Sequence, residues 1–280
     1  MPLKFFTTLD GRDVPIGAVD IRSTVKDFGL PPADVAALVA DQSGRGDVRP
    51  DQITGSQIGK GARQIYLEDT IDYSQAPARM MAALRGTMRH AMVSCEHNGL
   101  LVEQRVVSKS GRFSMKYDSF VPETGVLRDK KAVGFFKVLL VLKHGVMEAA
   151  KDYVFQLNLG AILLRQNGQV VKEMYLDFEP QGVGKLEKGE LEAKFGIKDS
   201  TFVPVAVPFL DEAQVLDAYE QLYRAKAEAR KTGIVPPMCT SEQTWGGKRC
   251  TQGWCPVAKQ CAEIAAERGE RHPLNKEVAA

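Results

Sequence analysis

Two aspartates separated by ten residues, Asp118 and Asp129, and a lysine two positions after the second, Lys131, have the types and spacing to do chemistry. Side chains of a strand alternate between faces, so Asp129 and Lys131 share a face with Leu127, while Val126, Arg128 and Lys130 take the other. A hairpin connection of this length brings Asp118 beside Asp129. Adjacent carboxylates repel, and a divalent cation with hard oxygen ligands, Mg²⁺ or Mn²⁺, relieves the repulsion. With a lysine to hold or deprotonate a water, this is equipment for metal-assisted hydrolysis of a phosphodiester. The ion polarises the phosphoryl oxygen and lowers the pKa of the attacking water. The same spacing also describes a solvated hairpin face whose Asp and Lys pair at the surface for about 0 to 1 kcal/mol.

A second group is soft. Cys239, Cys250, Cys255 and Cys261 lie within 23 residues, beside Trp245, Trp254 and Pro256, and Cys95 stands apart as a fifth. An odd count crowded into one end is poor arithmetic for disulfides in a reducing compartment. Four thiolates suit an iron-sulfur cluster or Zn²⁺. The spacing is not the paired C-x2-C of most zinc ribbons, and a proline directly after Cys255 favours the [4Fe-4S] reading over zinc. Cys95 reads as a small buried hydrophobe.

The remaining composition bounds the setting. The chain has 280 residues, 44% of them hydrophobic and 26% charged, with a formal net charge of +2. That describes an ordinary soluble globular protein and excludes a strongly basic nucleic-acid coat. No apolar run approaches the roughly 18 residues that span a bilayer. The start, MPLKFFTTLDGRD, has no h-region of a signal peptide. The expected location is cytoplasmic, with no membrane partner.

Elements must then position these groups. Turn signals punctuate residues 1–53, which read as an N-terminal appendage. A short helix is expected to open near Ser56 and another at Pro77, the latter with Met80, Met81, Leu84, Met88 and Met92 at helical spacing and His90 on it. Runs 100–107, 112–120 and 125–133 read as a meander of antiparallel strands, with Glu103 midway along the first as a candidate third carboxylate. Residues 148–166 are apolar almost all round, as in a helix packed on a sheet, and Gly168 closes it. On that helix Tyr153, Gln156 and Gly160 form a narrow polar or small stripe. Strands 169–178 and 200–207 and a helix over 210–231 follow. The fold class is α/β (α+β) with a mixed central sheet.

In this order, RGTMRH (85–90), MKYD (115–118), LRDKK (127–131), YVFQLNLGAILL (153–164) and the terminal cysteines resemble the PD-(D/E)XK nuclease superfamily. The likeness is to its RecB-like branch, which includes the CRISPR-associated iron-sulfur exonucleases, and it spans about Ser56 to Cys261. The resemblance implies a restriction-endonuclease-like fold and a nuclease, an exonuclease acting on DNA ends or single strands. By the same resemblance, His90, Asp118 and Asp129 are metal ligands, Lys131 is the catalytic lysine, and Gln156 with Tyr153 forms the helix motif behind the site. His97 shares a face with His90 but has no motif to support it.

The chain departs from the family at Met115-Lys116-Tyr117 before Asp118, and at Gly160, where relatives carry tyrosine. These departures keep open a non-catalytic, DNA-binding or assembly subunit of the same fold. Relatives also place one cysteine upstream, shortly before the arginine of a C-x-R-like segment. The matching stretch, SQIGKGARQIYL, has none, so Cys239 reads as the replacement fourth ligand and the cluster as local to the C-terminus.

The expected organisation is therefore an appendage (1–53), a nuclease core (54–235) and a cysteine region with tail (236–280). Arg105, Lys109, Arg112 and Lys116 cluster around the first hairpin, and Arg224, Lys226, Arg230 and Lys231 end the long helix; either group could track phosphates. The implied partners are DNA and a helicase or other DNA-processing protein.

Overall fold

Lys151–Gln166 is a helix in which every residue from 154 to 164 is buried, and Gly168, with φ +84°, ends it. Its apolar circumference is covered on all sides, as the composition of the segment requires. The computed structural model describes residues 3–43, 51–81, 84, 101–198 and 201–278. They form two compact units, one from residues 52–58 and 86–220, the other from 1–51, 59–85 and 221–280.

The first unit holds a five-stranded sheet in the order Val203–Ala206, Glu173–Gln181, Val126–Gly134, Ser119–Val121, Leu101–Val102. Only Glu173–Gln181 and Val126–Gly134 run parallel, and the other pairs are antiparallel. A three-stranded sheet pairs Ile53–Thr54 and Arg105–Val107 with Phe113–Lys116. This is a mixed α/β fold with helices flanking the sheets.

The expected meander is interrupted. The first run splits at Glu103, whose backbone is left-handed with φ +55°, and the second splits at Tyr117 and Asp118. Each run therefore serves two sheets, because neither can stay paired across its break. The helix Phe135–His144 follows directly on Val126–Gly134 and was not expected. Its sequence FFKVLLVLKH is too uniformly apolar for periodicity to separate a short helix from a buried strand.

In the second unit the N-terminal residues, expected as an appendage, take part in an apolar core. Leu3, Phe6, Phe28, Val35 and Leu38 share an apolar core with Met80 and Leu84. Phe6 and Phe28 meet edge to face, 6.0 Å between centroids. These apolar side chains are too few to enclose one another, and the helix opening at Pro77 supplies the rest. A second core joins Tyr66 and Leu67 of the helix Ala62–Thr70 to Ala229, Val257 and three of the cysteines. Residues 59–85 and 221–235, expected in the nuclease core, thus group with the two ends of the chain. No helix of the described residues is long and apolar enough to cross a membrane.

Candidate functional site

Alternation along Val126–Gly134 buries Leu127 and Asp129, the latter only 1% exposed. Ser119 pairs with Arg128 and Phe120 with Leu127, so continuing the register by one residue sets Asp118 opposite Asp129. Asp118 is itself 9% exposed and accepts the backbone N–H of Lys130 at 2.5 Å. The break in the second run places this carboxylate where a strand ends and its neighbour continues.

Lys131 follows Asp129 on the same face and reaches it, Nζ to Oδ2 2.6 Å. Gln156, from the buried helix, accepts from Lys131 Nζ at 3.3 Å and donates to Asp129 Oδ1 at 3.5 Å. Burial opposes the charge on Lys131, but Asp129 outweighs it and holds the ammonium above its ordinary pKa. The lysine is therefore a partly buried cation next to two carboxylates, suited to stabilising negative charge rather than to accepting a proton.

Tyr153 lies one turn before Gln156, with its ring 5.1 Å from Lys131 Nζ and 5.6 Å from Lys137 Nζ. Burial, then Asp152, raises the pKa of its hydroxyl. Lys137, whose Nζ also donates to the Ala149 carbonyl, belongs to the unexpected helix and was missed with it. Its signal was a cation near the start of an apolar run.

At Gly160 the stripe expected on the buried helix meets a strand and not a polar group. A Cβ there would stand 2.6 Å from the sulfur of Met115, so the helix lies against the strand Phe113–Lys116 with no room for a side chain. Gly160 is a packing residue, and the tyrosine of the family pattern could not be accommodated at this spacing. Glu103 is held by Lys116 at 2.6 Å, and its backbone N–H donates to the Asp118 carbonyl. His90, His97 and Cys95 lie outside the described residues.

Of the hairpin cations, Arg112 pairs with Glu220 at 2.9 Å and Arg105 donates to Ser114 at 3.1 Å. Lys109 lines an open groove of about 650 Å³ with Arg112, Asp217 and Glu220, a mixture of charge that a phosphate would meet as well as cations. On the long helix Lys226 is buried and paired with Asp69 at 2.6 Å, which removes it from the surface expected to track phosphates.

The four C-terminal cysteines line one small cavity of about 10 Å³ with Gln64, Arg249 and His272. This is room for about one water-sized atom. Cys250, Cys255 and Cys261 are buried, and the Cys255 thiol donates to Cys250, raising its own pKa and lowering that of Cys250. Burial raises Cys239 and pushes Cys261 up to about 11. The donor set is that of a soft metal, and the convergence of four thiols with no disulfide among them fits such a group. Among the described residues, no three His, Cys, Asp or Glu side chains are already arranged as a formed ion site. The cavity is not local to the tail, because Gln64 of the helix Ala62–Thr70 forms part of its wall. Gln64 and the arginines nearby escaped the sequence reading, since nothing in their spacing links residues 61–64 to 239–272.

No protein-family model matches the chain, and no curated protein does. Solved structures similar to it include the following two. The crystal structure of SSO0001 aligns at 11% identity and a TM-score of 0.47, over 80% of this chain and 92% of that one. A phage-related exonuclease from Haemophilus somnus 129PT aligns at 11% identity and a TM-score of 0.37, over 63% and 92% respectively. Likenesses of this depth leave the chemistry to be read from the residues of this chain.

Proposed function

We propose that the chain is a metal-dependent DNA nuclease, an exonuclease acting on DNA ends or single strands. The observation that carries the reading is the placement of Asp118, at the break just before Ser119–Val121, opposite Asp129 of the neighbouring strand, with Lys131 and Gln156 closing on Asp129. Asp118 and Asp129, with His90, would hold Mg²⁺ or Mn²⁺. That ion, when bound, polarises a phosphoryl oxygen and lowers the pKa of a water. Lys131 supplies a fixed positive charge toward a phosphate, and Gln156 keeps the lysine and Asp129 in register. The Tyr153 ring faces both Lys131 and Lys137 and gives the two ammonium groups a common apolar wall.

The four cysteines would hold an iron-sulfur cluster, with Zn²⁺ as the alternative. Gly160, which in sequence favoured a non-cleaving subunit, is accounted for by the approach of Met115. DNA is the substrate partner, and a helicase or other DNA-processing protein is the protein partner the resemblance implies.

The test is a titration of Mg²⁺ and of Mn²⁺ against end-labelled single- and double-stranded DNA. Cleavage that requires the ion and starts from ends supports the proposal. Absence of cleavage with either ion on either substrate overturns it.

A further inference from the structure

Arg249 and His272, which line the cavity of the four thiols, and Arg63, next in sequence to the lining residue Gln64, carry buried nitrogen donors that have nothing to donate to. Arg63 is 0% exposed, and its Nε and Nη2 have no hydrogen-bond partner; only Nη1 is engaged, by Glu270. Arg249 uses Nη1 on the carbonyls of Gly59 and Gln243, which leaves its buried Nε unpartnered. His272 is 1% exposed and its Nε2 is likewise unpartnered. The Leu274 N–H donates to His272 Nδ1 at 3.2 Å, so on the neutral ring the proton sits on Nε2. His272 therefore offers the cavity an N–H and not a lone pair, which makes it a donor to a ligand and not a ligand itself.

A buried donor without an acceptor costs about 1–3 kcal/mol. Four such atoms, two of them on residues of the cavity wall and two on the neighbour of a wall residue, call for a shared acceptor. Neutral thiols accept weakly, whereas thiolates on a metal accept N–H bonds and carry the negative charge two guanidinium groups would balance.

We propose that Arg63, Arg249 and His272 are the N–H donor shell of the four-cysteine metal site, each aimed at a metal-bound sulfur, and that they set how tightly the metal is kept. This rests on the reading of the cysteines as metal ligands, and it assigns three residues that no motif pointed to. It holds for iron-sulfur and zinc alike, because in both the acceptor is sulfur.

The test follows release of metal to a chelator from protein purified without oxygen, a readout independent of nuclease activity. Arg63→Met and His272→Phe, which keep bulk and remove donors, should each speed release about tenfold or more, as loss of partners around metal ligands does elsewhere. Arg63→Lys, which keeps a charge and a donor, should recover part of the effect. Glu270→Gln removes the carboxylate that anchors Arg63 and should leave release near wild type. Wild-type protein without stoichiometric metal would overturn the metal reading and this one together. Metal-loaded variants of Arg63 and His272 with unchanged release would overturn this one alone. Equal acceleration by Glu270→Gln would show that Arg63 acts only as a structural anchor; should Arg63→Met fail to fold, His272→Phe carries the same test.

Discussion

A Cβ built on Gly61 would lie 2.4 Å from the sulfur of Cys239. The thiol of residue 239 occupies the volume that a side chain at residue 61 would need. Gly61 precedes the helix Ala62–Thr70 with φ −75° and ψ 152°, an extended conformation open to any residue. The glycine is thus required by the thiol and not by the backbone. Cys239→Gly should lose metal, and adding Gly61→Cys to it should restore metal content, because the new thiol enters the emptied volume. Elemental analysis of the single and double variants checks this; a double variant as empty as the single would show that the two positions are not interchangeable. Gly61→Cys alone should destabilise the protein through collision with Cys239.

Asp129 is both a proposed ligand and the partner of Lys131, so its substitutions separate by type. Asp129→Asn keeps the volume and the contact to Lys131 and should reduce cleavage roughly a hundredfold or more, the effect of losing several kcal/mol of metal-supplied stabilisation. Asp129→Ala should reduce cleavage similarly but also lower stability, by about 3–5 kcal/mol, because it strands a largely buried ammonium. Denaturant titration distinguishes them. Equal stability of the two variants would mean that the amide contact and volume kept by asparagine contribute nothing once the charge is gone.

Asp118, Asp129, Lys131 and Gln156 were legible because their relations are local: alternation along one strand, one hairpin, one helical turn. The same locality hid other features. The left-handed residue Glu103 is not a glycine, so nothing marked the break in its run. Phe6, Phe28 and Leu38 look like scattered apolar residues until Met80 and Leu84 arrive from forty residues or more downstream to cover them. Gly160 looked like a lost tyrosine because the strand that fills its place, Phe113–Lys116, lies in another part of the sequence.

Gly160→Ala tests that packing. Alanine is the better helix former by about 1 kcal/mol, yet its methyl would meet Met115 Sδ at 2.6 Å and Cε at 3.2 Å. Overpacking of a buried contact typically costs about 1–3 kcal/mol, so the net change should be destabilising. Met115→Ala alone should also destabilise, by leaving a void. The double variant should cost less than the sum, since each change relieves the other. Additive effects in thermal unfolding would mean that the helix and strand separate easily at this point.

Tyr219 carries the last prediction. Its ring is fully buried, 6.1 Å from that of Phe113, and its hydroxyl donates to the Gly55 carbonyl at 2.8 Å. Burial raises its pKa well above the ordinary value of 10.0. A folded-state pKa above the unfolded one means that the folded chain keeps a proton the unfolded chain gives up. The stabilisation is fully present below pH about 10 and is lost as pH rises from there through the folded pKa. Tyr219→Phe should cost about 1–3 kcal/mol at neutral pH by leaving the Gly55 carbonyl without its donor. It should also remove the part of the alkaline loss of stability that belongs to this hydroxyl, so the gap between wild type and variant narrows above pH 10. Unfolding measured at neutral pH and at successive alkaline values checks both. A gap that stays constant across that range would show that the hydroxyl ionises as readily in the folded chain as in the unfolded one, and that its burial does not hold the proton.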